Sequence, residues 1–239
     1  MNSGLLAPNP ATGQCLVIVP VYNEAANLAT LFERLLCLPE RIHVLIVDDL
    51  SPDGSARLVE QHPQFNGRVF LLQRGDRLGF AGAVKAGFQW ALREGFDVCV
   101  EMDADLSHDP QDIPRLLATI EQGADLVIGS RYLDGIRVLN WPPGRLFLSL
   151  FAGAYTRFLT RLPVSDPTSG FNALRRNLLQ ALDWSMFRAE GYGFLIELHF
   201  YAWHYGFILR EQAITFTERN RGASKMSRRI QLESAIWVL

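Results

Sequence analysis

Carboxylates recur in this sequence just after short apolar runs. Glu24 stands beyond Cys15 to Val19, Asp48 and Asp49 close Ile42 to Val47, and Asp103 and Asp105 follow Val98 to Met102 with Ala104 between them. One acidic pair after a strand is ordinarily a turn or a helix cap. Three such groups at successive strand ends would repel one another in a shared crevice, and a divalent cation is the simplest compensation. The Asp103-Ala104-Asp105 spacing suits a hard ion that itself holds a diphosphate. His108, within Ser107-His108-Asp109-Pro110, reads as a helix-entry residue near solvent rather than a metal ligand.

Cations gather elsewhere. Residues 1–125 carry 17 Asp/Glu against 9 Lys/Arg, whereas residues 126–239 carry 8 against 14, and all the cations but Lys85 and Lys225 are arginine. This asymmetry points to an acidic site in the first half and an anion-facing or membrane-facing surface in the second. Guanidinium forks suit bidentate phosphate binding, although single arginines such as Arg157, Arg175 and Arg176 read as solvated surface residues. A net charge of -2 gives no general basic footprint, so nucleic acid is not an expected partner. No Gly-x-Gly-x-x-Gly follows the first strand, where Pro20-Val21-Tyr22-Asn23 stands instead, which sets dinucleotide binding aside.

The elements that must position these groups follow from periodicity. Strand-like Cys15 to Val19, Ile42 to Val47 and Arg68 to Leu72 alternate with helical Glu24 to Leu36, Asp53 to Gln61 and Gly82 to Arg93. The alternation continues with a strand over Asp97 to Met102, a helix over Pro110 to Gln122 and a strand over Ala124 to Ile128. Such order predicts an α/β fold with a mostly parallel sheet covered by helices. Beyond Tyr132 the spacing predicts an apolar helix from Arg145 to Leu162, a turn-rich loop from Val164 to Phe171, helices over Arg175 to Leu182 and Gly193 to Tyr205, a strand over Ala213 to Thr217, and a last helix over Met226 to Leu239. One domain is expected over 1–239, with 14–132 as its regular α/β half and 133–239 as a helical and loop-built half. Cys15, Cys37 and Cys99 form neither a disulfide framework nor a metal motif, which fits a cytoplasmic setting. The N-terminal residues lack the order of a signal peptide, and the most apolar stretch, Leu146 to Tyr155, is too short to span a bilayer.

Several runs resemble the family-2 glycosyltransferases, and most closely the dolichol-phosphate or polyprenol-phosphate mannose synthases. They are Val19-Pro20-Val21-Tyr22-Asn23-Glu24, Val47-Asp48-Asp49-Leu50-Ser51-Pro52-Asp53-Gly54, Leu78-Gly79, Met102-Asp103-Ala104-Asp105-Leu106-Ser107-His108 and Gly129-Ser130-Arg131-Tyr132. They continue with Asp166-Pro167-Thr168-Ser169-Gly170-Phe171, Gly191-Tyr192-Gly193-Phe194 and Glu218-Arg219 with Gly222-Ala223-Ser224-Lys225, so the match runs in order along nearly the whole chain. The resemblance implies a GT-A, Rossmann-like core that takes a nucleoside-diphosphate sugar with Mg²⁺ or Mn²⁺. By that analogy Pro20, Tyr22, Glu24, Val47 and Asp49 line the nucleoside pocket, while Asp103, Ala104, Asp105 and Ser107 surround the metal and diphosphate. Gly79 and Gly82 fit either backbone approach to the nucleotide or helix entry. Arg131, Arg145, Arg219 and Lys225 match the family's phosphate-contacting positions, and Ser149 lies on the face of Arg145 four residues on.

The implied reaction moves mannose from GDP-mannose to a polyprenyl monophosphate. A phosphate monoester with a second pKa near ~6 is already a nucleophile at neutral pH and needs no general base. Its phosphate needs cations to hold it beside the donor diphosphate. Asp105, Arg131 and Arg145 are the expected catalytic groups, and one in-line displacement at an α-linked sugar yields a β-linked product. A lipid acceptor places the enzyme on the cytoplasmic face of a membrane, or on a membrane-embedded partner subunit. The Arg145 to Leu162 helix, with Phe147, Phe151 and Phe158 apolar, and the tail from Ser227 to Leu239 are the expected contacts. The alternatives are the same fold using another donor such as UDP-glucose, and a phosphatase with Asp103 as nucleophile.

Overall fold

The structure is a computed structural model that describes residues 13–76 and 79–218. Three parallel strands open the chain: β1 (Cys15–Val21), β2 (Ile42–Asp48) and β3 (Val69–Gln73), separated by α1 (Ala25–Leu36) and α2 (Ser55–Glu60). Helix α3 (Gly79–Glu94) then carries the chain back to β4 (Val98–Glu101), which lies on the other side of β1. A short 3-10 turn at Pro110–Asp112 and α4 (Ile113–Glu121) lead to β5 (Leu126–Ser130). The second half supplies β6 (Val138–Leu139), α5 (Pro143–Thr160), β7 (Asn172–Arg175), α6 (Arg176–Ala181), α7 (Tyr192–His204), β8 (Leu209–Ala213) and β9 (Phe216–Thr217).

The main sheet has seven strands in the order β3-β2-β1-β4-β7-β5-β8, and β7 alone runs antiparallel, against both β4 and β5. Strands β6 and β9 pair parallel in a separate two-stranded sheet. Successive residues of a strand face opposite sides, so β1 feeds both layers. Val17 and Val19 join Leu28, Leu31 and Phe32 of α1 and Leu116 and Ile120 of α4. Leu16 and Ile18 join Val84 and Phe88 of α3 and Leu195 and Leu198 of α7. The near-continuous apolar runs of β1 and β2 thus reflect burial on both faces. Gly87 is required where α3 crosses the sheet, because a Cβ there would stand 2.4 Å from Ile18 Cγ2.

The chain passes from β1 outward to β3 and then returns to β4, which makes the carboxyl ends of β1 and β4 a topological switch point. Open α/β sheets bind ligands there. The expected strand Ala213 to Thr217 is in fact two, β8 and β9, parted at 214–215 as the chain leaves the main sheet for the small one. Strand β7 was no part of the expected pattern. Its four residues are too few for an alternating signal, and Asn172 opens it. Helix α5 begins and ends two residues earlier than its spacing predicts. The expected helix over 226–239, and with it Arg219 and Lys225, lies outside the described residues. Among the described residues no helix is long and apolar enough to cross a membrane.

Candidate functional site

Backbone geometry aims the carboxylates. After β1 the chain turns sharply at Asn23, whose φ is +57°, and Glu24 then precedes α1. Asp53 stitches this turn to the next: its Oδ2 accepts the Ala25 N–H at 2.9 Å, and its Oδ1 accepts the Ser55 N–H at 3.0 Å and hydroxyl at 2.6 Å. Glu24 is buried, with Oε2 accepting from Asn27 Nδ2 at 2.7 Å. Asp49 is buried too, and takes Arg74 Nη1 at 3.0 Å on one oxygen and the Gly79 N–H at 3.0 Å on the other. It thereby fixes the entry of α3. Pro20 and Tyr22 are half-buried near this turn, whereas Val47 is placed in the core, with Cγ2 3.3 Å from where a Gly87 Cβ would stand.

At the end of β4 charge is arranged in depth. Glu101 is fully buried, and burial pushes its carboxyl well above the ordinary range despite a hydrogen bond from Asn172, with the nearby Asp103 raising it further. Burial thus disfavours its ionised form. Asp105 is buried and accepts the Ser107 N–H at 3.1 Å, so Ser107 acts here through its backbone. Ala104 is buried between the two carboxylates. The expectation that His108 lies near solvent is overturned. It is 2% exposed, stacks on Phe171 at 4.9 Å between centroids, and accepts the Asp103 N–H on Nδ1 at 3.3 Å. Burial lowers its pKa to about 4, so it is neutral and serves as a wall for the acidic loop.

Among the described residues no group of three or more His, Cys, Asp or Glu side chains could hold a metal ion by itself. Two hard carboxylates on one turn are nonetheless a donor set that fits Mg²⁺ or Mn²⁺. Such ions commonly take one or two carboxylates and complete their shell with substrate phosphates and water. A cavity of about 250 Å³ adjoins Asp105, lined also by Asn27, Thr30, Thr217 and Glu218.

Glu218 links this cavity to the arginines. It ends the described chain beyond β9, its N–H bonded to Leu139 O at 3.1 Å, and its carboxylate pairs with Arg145 in the first turn of α5. The Arg145 guanidinium lies 4.2 Å from the centroid of the Trp141 ring. Arg131, at the end of β5, is buried in a bidentate pair with Asp166: Nε to Oδ2 and Nη2 to Oδ1 are both 2.7 Å, and Nη2 also reaches Thr168 Oγ1 at 2.9 Å. Burial alone would raise the Asp166 carboxyl, but the Arg131 charge and its hydrogen bonds outweigh that and hold it below its ordinary value. Arg131 is therefore a neutralised cation rather than an open one. Ser149 receives the Tyr132 hydroxyl at 2.7 Å, so the structure gathers Arg131, Arg145 and Ser149 around Tyr132 and Trp141.

Several partners were missed because they are distant in sequence. Asp166 and Glu218 stand 35 and 73 residues from the arginines they hold. Trp141 reads from sequence only as a loop residue. Beneath the Asp166 to Gly170 loop, the ring nitrogens of fully buried His199 lie 3.0 Å from Pro167 O and 3.0 Å from Asn172 Oδ1. The three arginines read as solvated are also corrected. Arg157 donates to Ser165 O at 2.6 Å, Arg175 to Ala124 O at 2.8 Å and Arg176 to Leu92 O at 2.9 Å, each satisfying a loop or helix-end carbonyl.

Residues 16–183 match glycosyl transferase family 2. The polyprenol monophosphomannose synthase of Mycolicibacterium smegmatis is 45% identical over 217 residues, covering 90% of this chain and 82% of that protein. The undecaprenyl-phosphate mannosyltransferase of Micrococcus luteus is 40% identical, over 92% of this chain and 90% of its own. The dolichol-phosphate mannosyltransferase of Pyrococcus furiosus is 36% identical, but the match spans 58% of that longer protein. Among solved structures, glucosyl-3-phosphoglycerate synthase from Mycobacterium tuberculosis, in complex with Mn²⁺, UDP-glucose and phosphoglyceric acid, superposes with a TM-score of 0.69. It is 17% identical and covers 100% of this chain and 83% of its own, a likeness of fold.

Proposed function

Because the chain belongs to glycosyltransferase family 2, we propose that it transfers mannose from GDP-mannose to a polyprenyl monophosphate and leaves a β-linked mannosyl phospholipid. The three sequence relatives above are named as mannosyl-transferring enzymes of polyprenol-type phosphates, which supports both the sugar and the acceptor class. The observation that carries the reading is the meeting of two chemistries at one cavity. Asp105 and Glu218 both line it, and the Glu218 carboxylate in turn holds the Arg145 guanidinium, so the acidic turn and the arginine cluster adjoin one space.

Asp103 and Asp105 would hold Mg²⁺ or Mn²⁺, and the ion when bound would supply Lewis-acid stabilisation of the charge on the departing diphosphate. The first-half groups Pro20, Tyr22, Glu24, Asp49 and the backbone beside Val47 receive the nucleoside, with Arg219 and Lys225 as further donor contacts. Arg145, Arg131 and Ser149 receive the acceptor's phosphate. Its oxygen attacks the anomeric carbon from the face opposite the leaving diphosphate, the bond to the β-phosphate oxygen breaks, and the configuration inverts. No residue need remove a proton, because the attacking phosphate is already ionised. Asp103 follows β4, whereas the phosphatase nucleophile follows the first strand, and the curated relatives are transferases, so the phosphatase alternative has no support here. The lipid acceptor brings the protein to a membrane surface at the cytoplasmic face, through the exposed aromatic side chains of α5 or with a membrane-embedded partner.

The test is transfer of label from GDP-mannose to a short-chain polyprenyl phosphate in detergent, with Mg²⁺ or Mn²⁺, with EDTA, and with UDP-glucose in parallel. Metal-dependent labelling from GDP-mannose is the expected result, with the anomeric configuration of the product read by NMR. Labelling from UDP-glucose alone would keep the fold and acceptor but replace the donor.

A further inference from the structure

Trp141 sits between β6 and α5, against two guanidiniums and one phenyl ring. Its ring meets the Arg145 guanidinium at 4.2 Å and the Arg131 guanidinium at 5.6 Å, measured to the centroid. Phe216 of β9 packs edge-on against it at 5.4 Å and 76°. Its Nε1–H is buried and meets no hydrogen-bond acceptor among the described residues. A buried donor without a partner is destabilising, a cost that phenylalanine or leucine would avoid while filling the same space. What tryptophan offers over them is the most electron-rich face, which binds cations best among the aromatic side chains.

The surroundings hold that face still. Asn140 turns the chain at φ +63° just ahead of the indole. Strands β6 and β9 pair Val138 with Phe216 and Leu139 with Thr217, and Arg137 N–H bonds to Arg131 O at 2.9 Å. The ring is thus tied by backbone to both the arginine at the end of β5 and the carboxylate that pairs with the arginine of α5. We infer that Trp141 is a positioning residue for the acceptor's phosphate: its ring face fixes the plane of the Arg145 guanidinium and eases the approach of Arg145 to Arg131. This rests on the reading of Arg145 as an acceptor-phosphate contact. Long, flexible arginines lose side-chain entropy on binding an anion, and a guanidinium already held over a ring loses less.

The experiment uses the full chain and farnesyl monophosphate as a short acceptor probe, with binding of the probe and of GDP measured separately for each variant. Trp141→Leu should raise the Kd for the probe about 2- to 30-fold, the range expected for a cation–π contact, and leave the Kd for GDP unchanged. Trp141→Phe keeps a ring face and should retain most of the affinity. In an Arg145→Leu background, Trp141→Leu should add little further loss, because its effect runs through the guanidinium. Equal losses in the two backgrounds would overturn the assignment, and so would a Trp141→Phe variant as impaired as Trp141→Leu, which would make the indole N–H a direct contact. Thermal unfolding separates these effects from misfolding. A wild-type chain that binds no farnesyl monophosphate would sink the acceptor reading and this inference together, whereas wild-type binding with Trp141→Leu unaffected would sink only the inference.

Discussion

The ends of β1, β2 and β4 and the cluster between β5 and α5 handle charge in opposite ways. The first region concentrates carboxylates and satisfies them largely with backbone N–H groups: Ala25 and Ser55 for Asp53, Gly79 for Asp49 and Ser107 for Asp105, while burial raises the Glu101 carboxyl. The second region brings in cations and neutralises them with partners from far along the chain, Asp166 for Arg131 and Glu218 for Arg145. One side is left with a net demand for a cation, the other with guanidiniums already paired and stacked. Preorganised charge of both signs suits a reaction in which two phosphates, mutually repelling, must approach one sugar carbon.

The largest expected effect lies on the acidic side. Asp105→Ala removes one of only two carboxylates proposed for the metal, and the rate of metal-dependent transfer should fall by three or more orders of magnitude, about 4 kcal/mol. Stability to denaturant should change little by comparison. Rates near wild type in Asp105→Ala, or transfer that persists in EDTA, would move the chemistry off this turn and dissolve the contrast between the regions.

On the cationic side the first effect is on folding. Asp166→Ala removes the bidentate carboxylate from buried Arg131, and breaking a buried pair from one side costs about 3–5 kcal/mol. Urea unfolding reads it directly. Acid should act in the same direction. The native Asp166 carboxyl is held below its ordinary value, so its stabilisation is complete above the unfolded value near 3.8 and is lost as pH falls below that. An Asp166→Ala protein as stable as wild type would show Arg131 free to serve phosphate without its partner.

Asp105 and Asp166 also mark what the sequence could and could not reveal. The acidic side was legible because its logic is local: strand, turn and carboxylate lie within a few residues, so β1, β2, β4 and Asp103 to Asp105 follow from spacing alone. The mostly parallel character of the sheet also follows, since apolar runs alternating with helices leave few other architectures. What escaped was built over distance. Strand β7 reverses direction between β4 and β5 with four residues, and Asn172 at its start serves Glu101, Ser169 and His199 at once. The burial of His108 depends on Phe171 and Phe216, which no local pattern brings to it.

A smaller effect sharpens the division of labour. Arg145→Ala should weaken acceptor use about 10- to 100-fold, the value of a charged hydrogen bond or two, while GDP binds as before. Donor and acceptor affinities falling together would merge the two regions into one site.

The smallest effect concerns how the cationic region meets its lipid. Helix α5 carries Arg145 in its first turn and buries only Gly153 and Thr156. Phe147, Phe151 and Phe158 are 73%, 59% and 82% exposed, and Leu148, Leu150 and Leu159 are exposed beside them. Spacings of four and seven residues set the three phenylalanines along one side of a helix. So large an exposed apolar stripe is uncommon on a soluble surface and suits insertion at the level of lipid headgroups. Replacing the three phenylalanines with serine should reduce co-sedimentation with anionic phospholipid vesicles several-fold. Mannosyl transfer to a short acceptor in detergent should be unchanged, because none of the three touches Trp141, Arg131 or the acidic turn in the contacts described above. Vesicle binding that survives the triple change would move the membrane contact to another surface, and loss of transfer in detergent would show that α5 shapes the acceptor site itself.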